Sequence, residues 1–346
     1  MIFLMLMRCR LLLFLLCMLC ACNRPHNVNV AFYYWKTNYK TTAVEQGYLQ
    51  QLKVRNLYVR IIDVYRDAQS GAAVPVSPVT FSAALPDSIN IVPVVFIVNN
   101  ILRSAGKPEL NSLAAKISTF VNGKVKQAGK QGYHELQIDC DWTATTRDNY
   151  FYLLKELARQ PALKGIRLSA TLRLHQLKNL KRNGVPPVSR VMLMCYNMGN
   201  LRKYGNQNSI LDMVELKKYA DQNVGSYSLP MDVGFPLFSW AVVFRDKQYA
   251  GISKRVKITN LQNKKQFIFI GKNMYRALDN LPEYGLLRND EVRWEDAETG
   301  DLNKLAGYLS PLIKTDSLNL IYFHLDEDIL KKYTPQQLRE TAEILR

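Results

Sequence analysis

The chain has 346 residues and is strongly basic, with 46 lysines and arginines against 29 aspartates and glutamates. Hydrophobic residues make up 48% of the sequence and aromatic residues 10%, which allows a large core. The basic charge comes with no nucleic-acid-binding motif, so a nucleic-acid partner is not expected. The excess of lysine indicates either a solvated surface or patches that meet anionic glycans or lipid head groups.

The N-terminal segment has the pattern of an export signal. Arg8 and Arg10 precede an apolar run that is too short to span a bilayer as a helix. The run ends in LCAC, which resembles the lipobox of bacterial lipoproteins. That resemblance implies that residues 1–21 are a signal peptide and that Cys22 is acylated after its removal. The alternatives are an uncleaved anchor helix or a plain secretory signal, and each places the mature chain outside the cytoplasm.

The expected location is the bacterial cell envelope, with a membrane partner contacted through the lipid on Cys22. Residues 22–27 form the expected tether, and residues 28–346 form one domain. Asn23 follows the acylated cysteine, whereas an aspartate there resembles an inner-membrane retention signal. The outer membrane is therefore favoured.

Strand and helix patterns alternate along the body of the chain. Eight strands are predicted at 28–35, 56–65, 89–98, 134–142, 165–174, 189–198, 229–240 and 318–326. Several are nearly continuous apolar runs, which is typical of strands buried on both faces. Eight such strands alternating with helices favour an α/β fold, the (β/α)8 TIM barrel, over an open doubly wound sheet. The stretch 241–300 is the least regular and is predicted to be an irregular insertion between strands seven and eight.

Cys140 and Cys195 are expected to stay unpaired. They lie on predicted strands four and six, which are about 9–10 Å apart because they are not neighbours. A disulfide accepts a Cα separation of roughly 4.4–6.8 Å. No zinc-type spacing of cysteine and histidine exists, so neither a metal nor another cofactor is expected.

Aromatic and polar residues gather at the carboxyl ends of the predicted strands, where TIM barrels carry their active sites. The candidates for substrate binding are Trp35, Asp63, Trp142, Asn197, Trp240 and Asp326. Flat tryptophan faces suit the apolar faces of sugar rings. The alternative is that these aromatic residues pack the barrel mouth, where a polar tip reaches water.

Asp139 and Asp141 are the strongest catalytic candidates. They lie two residues apart on predicted strand four, so both carboxylates face one side with Cα atoms about 6.5–7 Å apart. Like charges at that distance raise the pKa of one member. A protonated acid beside an ionised partner is what glycosidic bond cleavage uses. The alternative is a pair bonded to Arg or Tyr that performs no chemistry.

Four motifs carry a resemblance to a known family. LQIDCDW, LSATLRL, RVMLMCYNMG and MDVGFPLFSW occur in this order on predicted strands four to seven. Together they resemble the family 18 chitinase-like barrels, and still more the uncharacterised bacterial families of glycosidase-type barrels related to them. Chitinases carry Asp-x-Asp-x-Glu on strand four and Met-x-Tyr-Asp on strand six. Met194, Tyr196 and Asn197 match the second pattern, with Asn in place of Asp.

The first pattern departs from the family. If Asp139 and Asp141 match its two aspartates, Thr143 occupies the position of the acid, and threonine cannot protonate a leaving group. If the pattern is shifted by two residues, Asp141 takes the acid position, Asp139 the supporting one and Gln137 that of the first aspartate. The glycine that precedes the acids in chitinases is absent.

Together, the lipobox-like sequence and the resemblance to chitinase-like barrels imply an envelope lipoprotein whose glycosidase-like barrel binds a carbohydrate. If the protein is an enzyme, it is expected to be a retaining glycoside hydrolase. Asp141 is then the general acid, and the neighbouring Asp139 keeps it protonated. Tyr196 and Asn197 then hold the substrate at the bond to be broken. The sugar platforms are Trp35, Trp142 and Trp240. The alternatives are a glycan- or protein-binding barrel that has lost the acid, and a structural envelope lipoprotein without a ligand.

Overall fold

The computed structural model describes residues 25–346. The predicted signal segment and Cys22 lie outside the described residues, so the lipid anchor stays a prediction. Within the described part of the chain, no helix is both long enough and apolar enough to cross a membrane.

Eight parallel strands form a closed barrel. In chain order, barrel strands one to eight are Asn27–Tyr34, Asn56–Arg66, Asn90–Ile97, Glu135–Asp139, Arg167–Arg173, Arg190–Met194, Met231–Pro236 and Ser317–Phe323. Each strand pairs with its neighbour in sequence order, and strand one pairs with both strand two and strand eight. This closure confirms the predicted TIM barrel, and each predicted strand overlaps an observed one.

The strand alternation divides the buried residues into two groups. Tyr33, Tyr58, Val94, Met192 and Ile321 belong to one cluster inside the barrel. The larger core lies between the barrel and the helices, because the opposite faces of the same strands are also apolar. Cys140 and Cys195 belong to this outer core, and both are buried and free.

The helices surround the barrel. The longest, Lys107–Gln127, buries Leu110, Leu113, Ala114, Ile117 and Val121, a stripe with the three- and four-residue spacing of an amphipathic helix. The other helices of the barrel layer are Ala43–Gln51, Ile101–Ser104, Arg147–Ala158, Leu174–Lys178, Leu180–Asn183, Met213–Tyr219, Asp221–Gly225, Thr299–Leu309, Glu327–Leu330 and Pro335–Leu345, with a 3-10 turn at Pro161–Leu163.

Three short strands lie outside the barrel, close to the end of strand two. Ala73–Val76 pairs antiparallel with the end of strand two. Asn38–Tyr39 pairs with Thr80–Phe81 in a separate two-stranded sheet. These segments lie after strands one and two, so they belong to the loops at the carboxyl ends of the barrel strands.

The insertion between strands seven and eight is an ordered five-stranded antiparallel sheet, the insert sheet. Across the sheet the strands are Gln248–Ser253, Trp240–Arg245, Glu291–Glu295, Met274–Ala277 and Phe267–Gly271, with a helix at Ile258–Leu261 and a 3-10 turn at Pro282–Tyr284. Its position matches the prediction, but its regularity does not. The strands are only four to six residues long, which is too short for a clear alternating pattern.

Arg293 fixes the insert sheet to the barrel. Its side chain is fully buried, and its Nε donates to Glu295 Oε1 at 2.5 Å. Its Nη atoms donate to three backbone carbonyls of the loop after strand six, those of Leu201 (2.9 Å), Lys203 (2.7 Å) and Gly205 (2.9 Å). Charge-assisted bonds of this kind are strong, so the sheet and the loop form one unit above the barrel mouth.

Candidate active site

A cleft of about 1270 Å³ lies between the barrel mouth and the insert sheet. Its floor comes from the carboxyl ends of the barrel strands and includes Tyr33, Asp139, Thr171, Met194, Tyr196 and Phe323. Its walls come from the insert sheet and from the segment after strand eight, and they include Trp240, Lys254, Trp294, His324, Asp326 and Lys332. The cleft thus occupies the position where barrels of this type carry their sites.

Asp139 is the acid on the cleft floor. It is the last residue of strand four, is only 8% exposed, and accepts a hydrogen bond from Thr171 Oγ1 at 2.7 Å. Burial raises the pKa of Asp139 to about 7, the charge of Asp141 adds to the rise, and the bond from Thr171 opposes it. The protonated form of this carboxyl is therefore much more populated near neutral pH than that of an ordinary aspartate.

Asp141 lies in a different environment from Asp139. It is not part of the cleft lining, its side chain is 43% exposed, and its Oδ2 lies 2.8 Å from Nη1 of Arg173. A cation therefore holds the carboxylate of Asp141 outside the cleft floor on which Asp139 lies. Asp139 thus lines the cleft and Asp141 does not, whereas the sequence analysis assigned the role of general acid to Asp141.

Tyr196 and Asn197 both line the cleft, directly after strand six. Tyr196 packs edge-on against Phe238 with 6.0 Å between ring centroids, and burial raises its pKa well above the usual value. Asn197 has a φ of 55°, a left-handed conformation that asparagine adopts more readily than most residues. Its backbone N–H donates to the carbonyl of Ile210 at 2.9 Å, which fixes the turn.

A glycine that the sequence analysis passed over makes room for Tyr196. A Cβ atom on Gly234 would lie 2.7 Å from Sδ of Met192 and 3.2 Å from Cε1 of Tyr196. Such distances are too short without a shift of the neighbours. The glycine in the MDVGFPLFSW motif therefore leaves the space that the side chains of Met192 and Tyr196 occupy.

Three tryptophans line the cleft, and they are Trp35, Trp240 and Trp294. Trp35 packs edge-on against Tyr33 at 5.5 Å between centroids. Trp240 donates from Nε1 to Glu295 Oε2 at 2.8 Å, and Trp294 donates from Nε1 to Asp296 at 3.1 Å. Trp294 belongs to the insert sheet and was missed in the sequence, because nothing in its own segment indicates that it folds back over the barrel mouth.

Trp142 is a correction to the predicted set of sugar platforms. It is completely buried in the helix layer, stacks on Tyr150 at 5.0 Å, and donates from Nε1 to the carbonyl of Asn183 at 3.0 Å. The strand alternation that turns Asp139 inward turns Trp142 outward. This tryptophan has no face available to a ligand.

The two remaining predicted residues make ion pairs. Asp63 lies 2.8 Å from Nη1 of Arg60 and does not line the large cleft. Asp326 lines the cleft and lies 2.9 Å from Nζ of Lys36. Burial alone would raise the pKa of Asp326, but the bond and charge of Lys36 outweigh it and lower that pKa. Asp326 also caps the helix Glu327–Leu330.

The site offers no ready place for a metal ion. Among residues 25–346, no cluster of three or more histidine, cysteine, aspartate or glutamate side chains has the geometry to hold one.

The closed barrel has the (β/α)8 fold that is also seen in solved structures of chitinases and a chitinase-like protein. The protein is similar to the spore cortex-lytic enzyme SleL of Bacillus cereus, with a TM-score of 0.57 and 14% identity over 94% of this chain and 76% of that one. It is similar to a chitinase from Chromobacterium violaceum, with a TM-score of 0.52 and 12% identity over 91% and 98% of the two chains.

A third similar structure is the chitinase-like agglutinin of Robinia pseudoacacia, with a TM-score of 0.51 and 14% identity over 91% of this chain and 99% of that one. No protein-family model and no curated protein matches the sequence. The resemblance to chitinase-type barrels that the four motifs predict is confirmed at the level of the fold.

Proposed function

We propose that the cleft binds a carbohydrate, with Asp139 as its central polar contact and Trp35, Trp240 and Trp294 as its surfaces for sugar rings. The observation that carries this proposal is the presence of three tryptophans in one cleft with a buried carboxyl whose pKa is about 7. Aromatic faces bury the apolar sides of sugar rings, and a carboxyl that is partly protonated both donates to and accepts from hydroxyls.

Binding without cleavage is the form of this function that the contacts favour. Thr143, at the acid position of the chitinase pattern, hydrogen-bonds to the hydroxyls of Thr145 (3.0 Å) and Thr146 (3.3 Å). Asp141, the acid of the shifted pattern, is paired with Arg173. Neither position offers a free carboxylic acid to the cleft. The similar barrel that is named an agglutinin supports the same reading.

Hydrolysis is the second candidate, and the pKa of Asp139 favours it. A general acid or base works best when its pKa is near the working pH, and burial brings Asp139 there. Two of the similar structures are named as a lytic enzyme and a chitinase. If the cleft cleaves a glycosidic bond, Asp139 is the group that transfers the proton.

We also propose that the protein is a lipid-anchored component of the bacterial envelope, with a preference for the outer membrane. The support is the LCAC sequence that ends at Cys22 and the residue Asn23 after it. A glycan-binding cleft carried on such an anchor would face envelope polysaccharide.

The test of the binding function is a titration with soluble glycans, including chito-oligosaccharides and peptidoglycan fragments. Trp294→Ala removes a platform, and we expect at least about a tenfold loss of affinity for the glycan that the wild type binds. Trp142→Phe is the matched control, because that side chain is buried away from the cleft. Equal affinities for the wild type and Trp294→Ala, or no binding to any glycan of the panel, would contradict the proposal.

A further inference from the structure

The outer edge of the insert sheet exposes a run of apolar side chains. Strand Phe267–Gly271 pairs on one side with Met274–Ala277, and its other side has no partner strand in the described chain. Ile268 is 49% exposed, Phe269 56% and Ile270 37%. We call these three residues the edge tip. Soluble proteins usually protect a free sheet edge with charges or loops, so an apolar edge marks an interaction surface.

Positive charge surrounds the edge tip. Lys264, Lys265 and Lys272 are exposed, and residues 264–272 contain no aspartate or glutamate. The ion pairs of the described insert are made by other cations, namely the exposed Arg245, Lys257 and Arg276 and the buried Arg293. The nearest exposed acids along the chain are Asp279 and Glu283, and Glu283 accepts a hydrogen bond from Gln266. The rim of the edge tip is therefore basic.

We propose that the edge tip binds a membrane surface rich in anionic lipid, with its side chains among the head groups and its lysines on the lipid phosphates. Apolar side chains beside lysines are the combination that peripheral proteins use at such surfaces. Each lysine near an anionic bilayer strengthens binding by about fivefold. This surface is separate from the glycan cleft and does not depend on its function.

The directions of the side chains favour a lipid surface over a protein strand. Ile268 and Phe269 are consecutive on the regular part of the strand and point to opposite faces of the sheet, and Phe269 meets the ring of Tyr275 at 5.4 Å. A groove in a partner protein would contact one face, whereas a head-group layer surrounds both. Shallow insertion also leaves the unpaired backbone groups of the edge in contact with water and head groups.

A second copy of the chain is a poor partner for this edge. In an antiparallel pairing of two copies, Lys264 and Lys265 of one would face Lys272 of the other, and like charges directly opposite each other destabilise a sheet. The edge tip is also at the opposite side of the sheet from Gln248–Ser253, whose end lines the cleft. None of the three residues of the edge tip lines the cleft.

The test measures the depth of the tip in the full-length protein reconstituted on vesicles. Phe269→Trp places an indole at the tip, and Val214→Trp is the matched control, because Val214 is 66% exposed on a helix outside the insert sheet. We expect brominated acyl chains to quench the added fluorescence of Phe269→Trp but not that of Val214→Trp. The quenching should require phosphatidylglycerol in the phosphatidylcholine vesicles and should fall with salt.

A second variant separates charge from apolar contact. Replacing Lys264, Lys265 and Lys272 together by Gln in the Phe269→Trp background should reduce the quenching to the level of Val214→Trp, with unchanged circular dichroism. If lipid does not quench Phe269→Trp in anionic vesicles, the proposal is wrong. A blue shift that appears without vesicles and grows with protein concentration would identify a second copy as the partner and would also overturn it.

Discussion

Arg173 and Asp141 form an ion pair at the rim of the barrel, with 2.8 Å between Nη1 and Oδ2. This pair gives the two aspartates of the LQIDCDW motif different environments. Asp141 is held by a cation at a partly exposed position, whereas Asp139 lies on the cleft floor and accepts a hydrogen bond from the hydroxyl of Thr171. Of the two carboxyl groups, that of Asp139 is therefore the one that lines the cleft.

The raised pKa of Asp139 predicts a pH dependence of folding stability. The folded-state pKa is about 7 against an ordinary value of 3.8, so the folded state binds the proton more tightly than the unfolded chain. The contribution of this group to stability falls as the pH rises from about 4 to about 7, by an amount on the order of a few kcal/mol. Asp139→Asn should remove that dependence.

The measurement for Asp139 is urea unfolding of the wild type and Asp139→Asn over this pH range. The free energy of unfolding of the variant should rise relative to that of the wild type as the pH increases. Asp141→Asn is the control, and its pH dependence should follow that of the wild type more closely. Parallel pH profiles for the wild type and Asp139→Asn would show that the carboxyl is not desolvated.

Glu295 is predicted to join the insert sheet to the barrel. Its buried carboxylate accepts from Arg293, from Ser209 and from the indole of Trp240. Glu295→Gln leaves the buried guanidinium of Arg293 without its counter-charge, which should lower the free energy of unfolding by about 3–5 kcal/mol. Glu215→Gln, which breaks an exposed pair with Lys218, should cost less than about 1 kcal/mol. Equal losses in chemical denaturation would contradict this role.

Trp142 is predicted to stabilise the helix layer and to leave binding unchanged. Trp142→Phe removes the bond to the carbonyl of Asn183, so a buried acceptor loses its partner. The free energy of unfolding should fall by about 1–3 kcal/mol. Glycan affinity should equal that of the wild type, and a clear loss of affinity in the folded variant would count against its placement outside the cleft.

The anchor prediction concerns Cys22. Cys22→Ala removes the acylation site of the lipobox-like sequence, so the protein should move from the membrane fraction to the soluble envelope fraction after cell fractionation. Mass spectrometry of the wild type should find acyl chains on this cysteine. Membrane association of the unlipidated variant that resists both salt and carbonate washes would favour an uncleaved anchor helix instead.

The barrel could be predicted from the sequence because several of its strands are nearly continuous apolar runs, and each such run can be recognised without knowledge of its tertiary contacts. The carboxyl ends of all barrel strands meet at one mouth, so the strand pattern also predicts that several candidate residues lie close together. Those that the structure places in the cleft are Trp35, Asp139, Tyr196, Asn197, Trp240 and Asp326. The alternation that turns Cys140 outward also turns Trp142 outward, so Trp142 could have been excluded as a sugar platform from the sequence alone. That step required only the period of two.

Other features of the site depend on tertiary contacts that no local pattern contains. Trp294 reaches the cleft only because the insert sheet folds over the mouth and is held there by Arg293. The pairs Arg173–Asp141 and Arg60–Asp63 depend on side-chain directions at the ends of strands. Residue spacing alone does not distinguish Asp139 from Asp141, whereas their burial and their partners do.

The most direct test of the central claim compares wild type, Asp139→Asn and Asp141→Asn in glycan binding and glycan hydrolysis. The account predicts that Asp139→Asn alters affinity by about tenfold or more, because it removes the central polar contact of the cleft. Asp141→Asn should stay within about threefold of the wild type, and any turnover of the wild type should be lost in Asp139→Asn first. Loss of affinity or turnover in Asp141→Asn, with Asp139→Asn equal to the wild type, would contradict it.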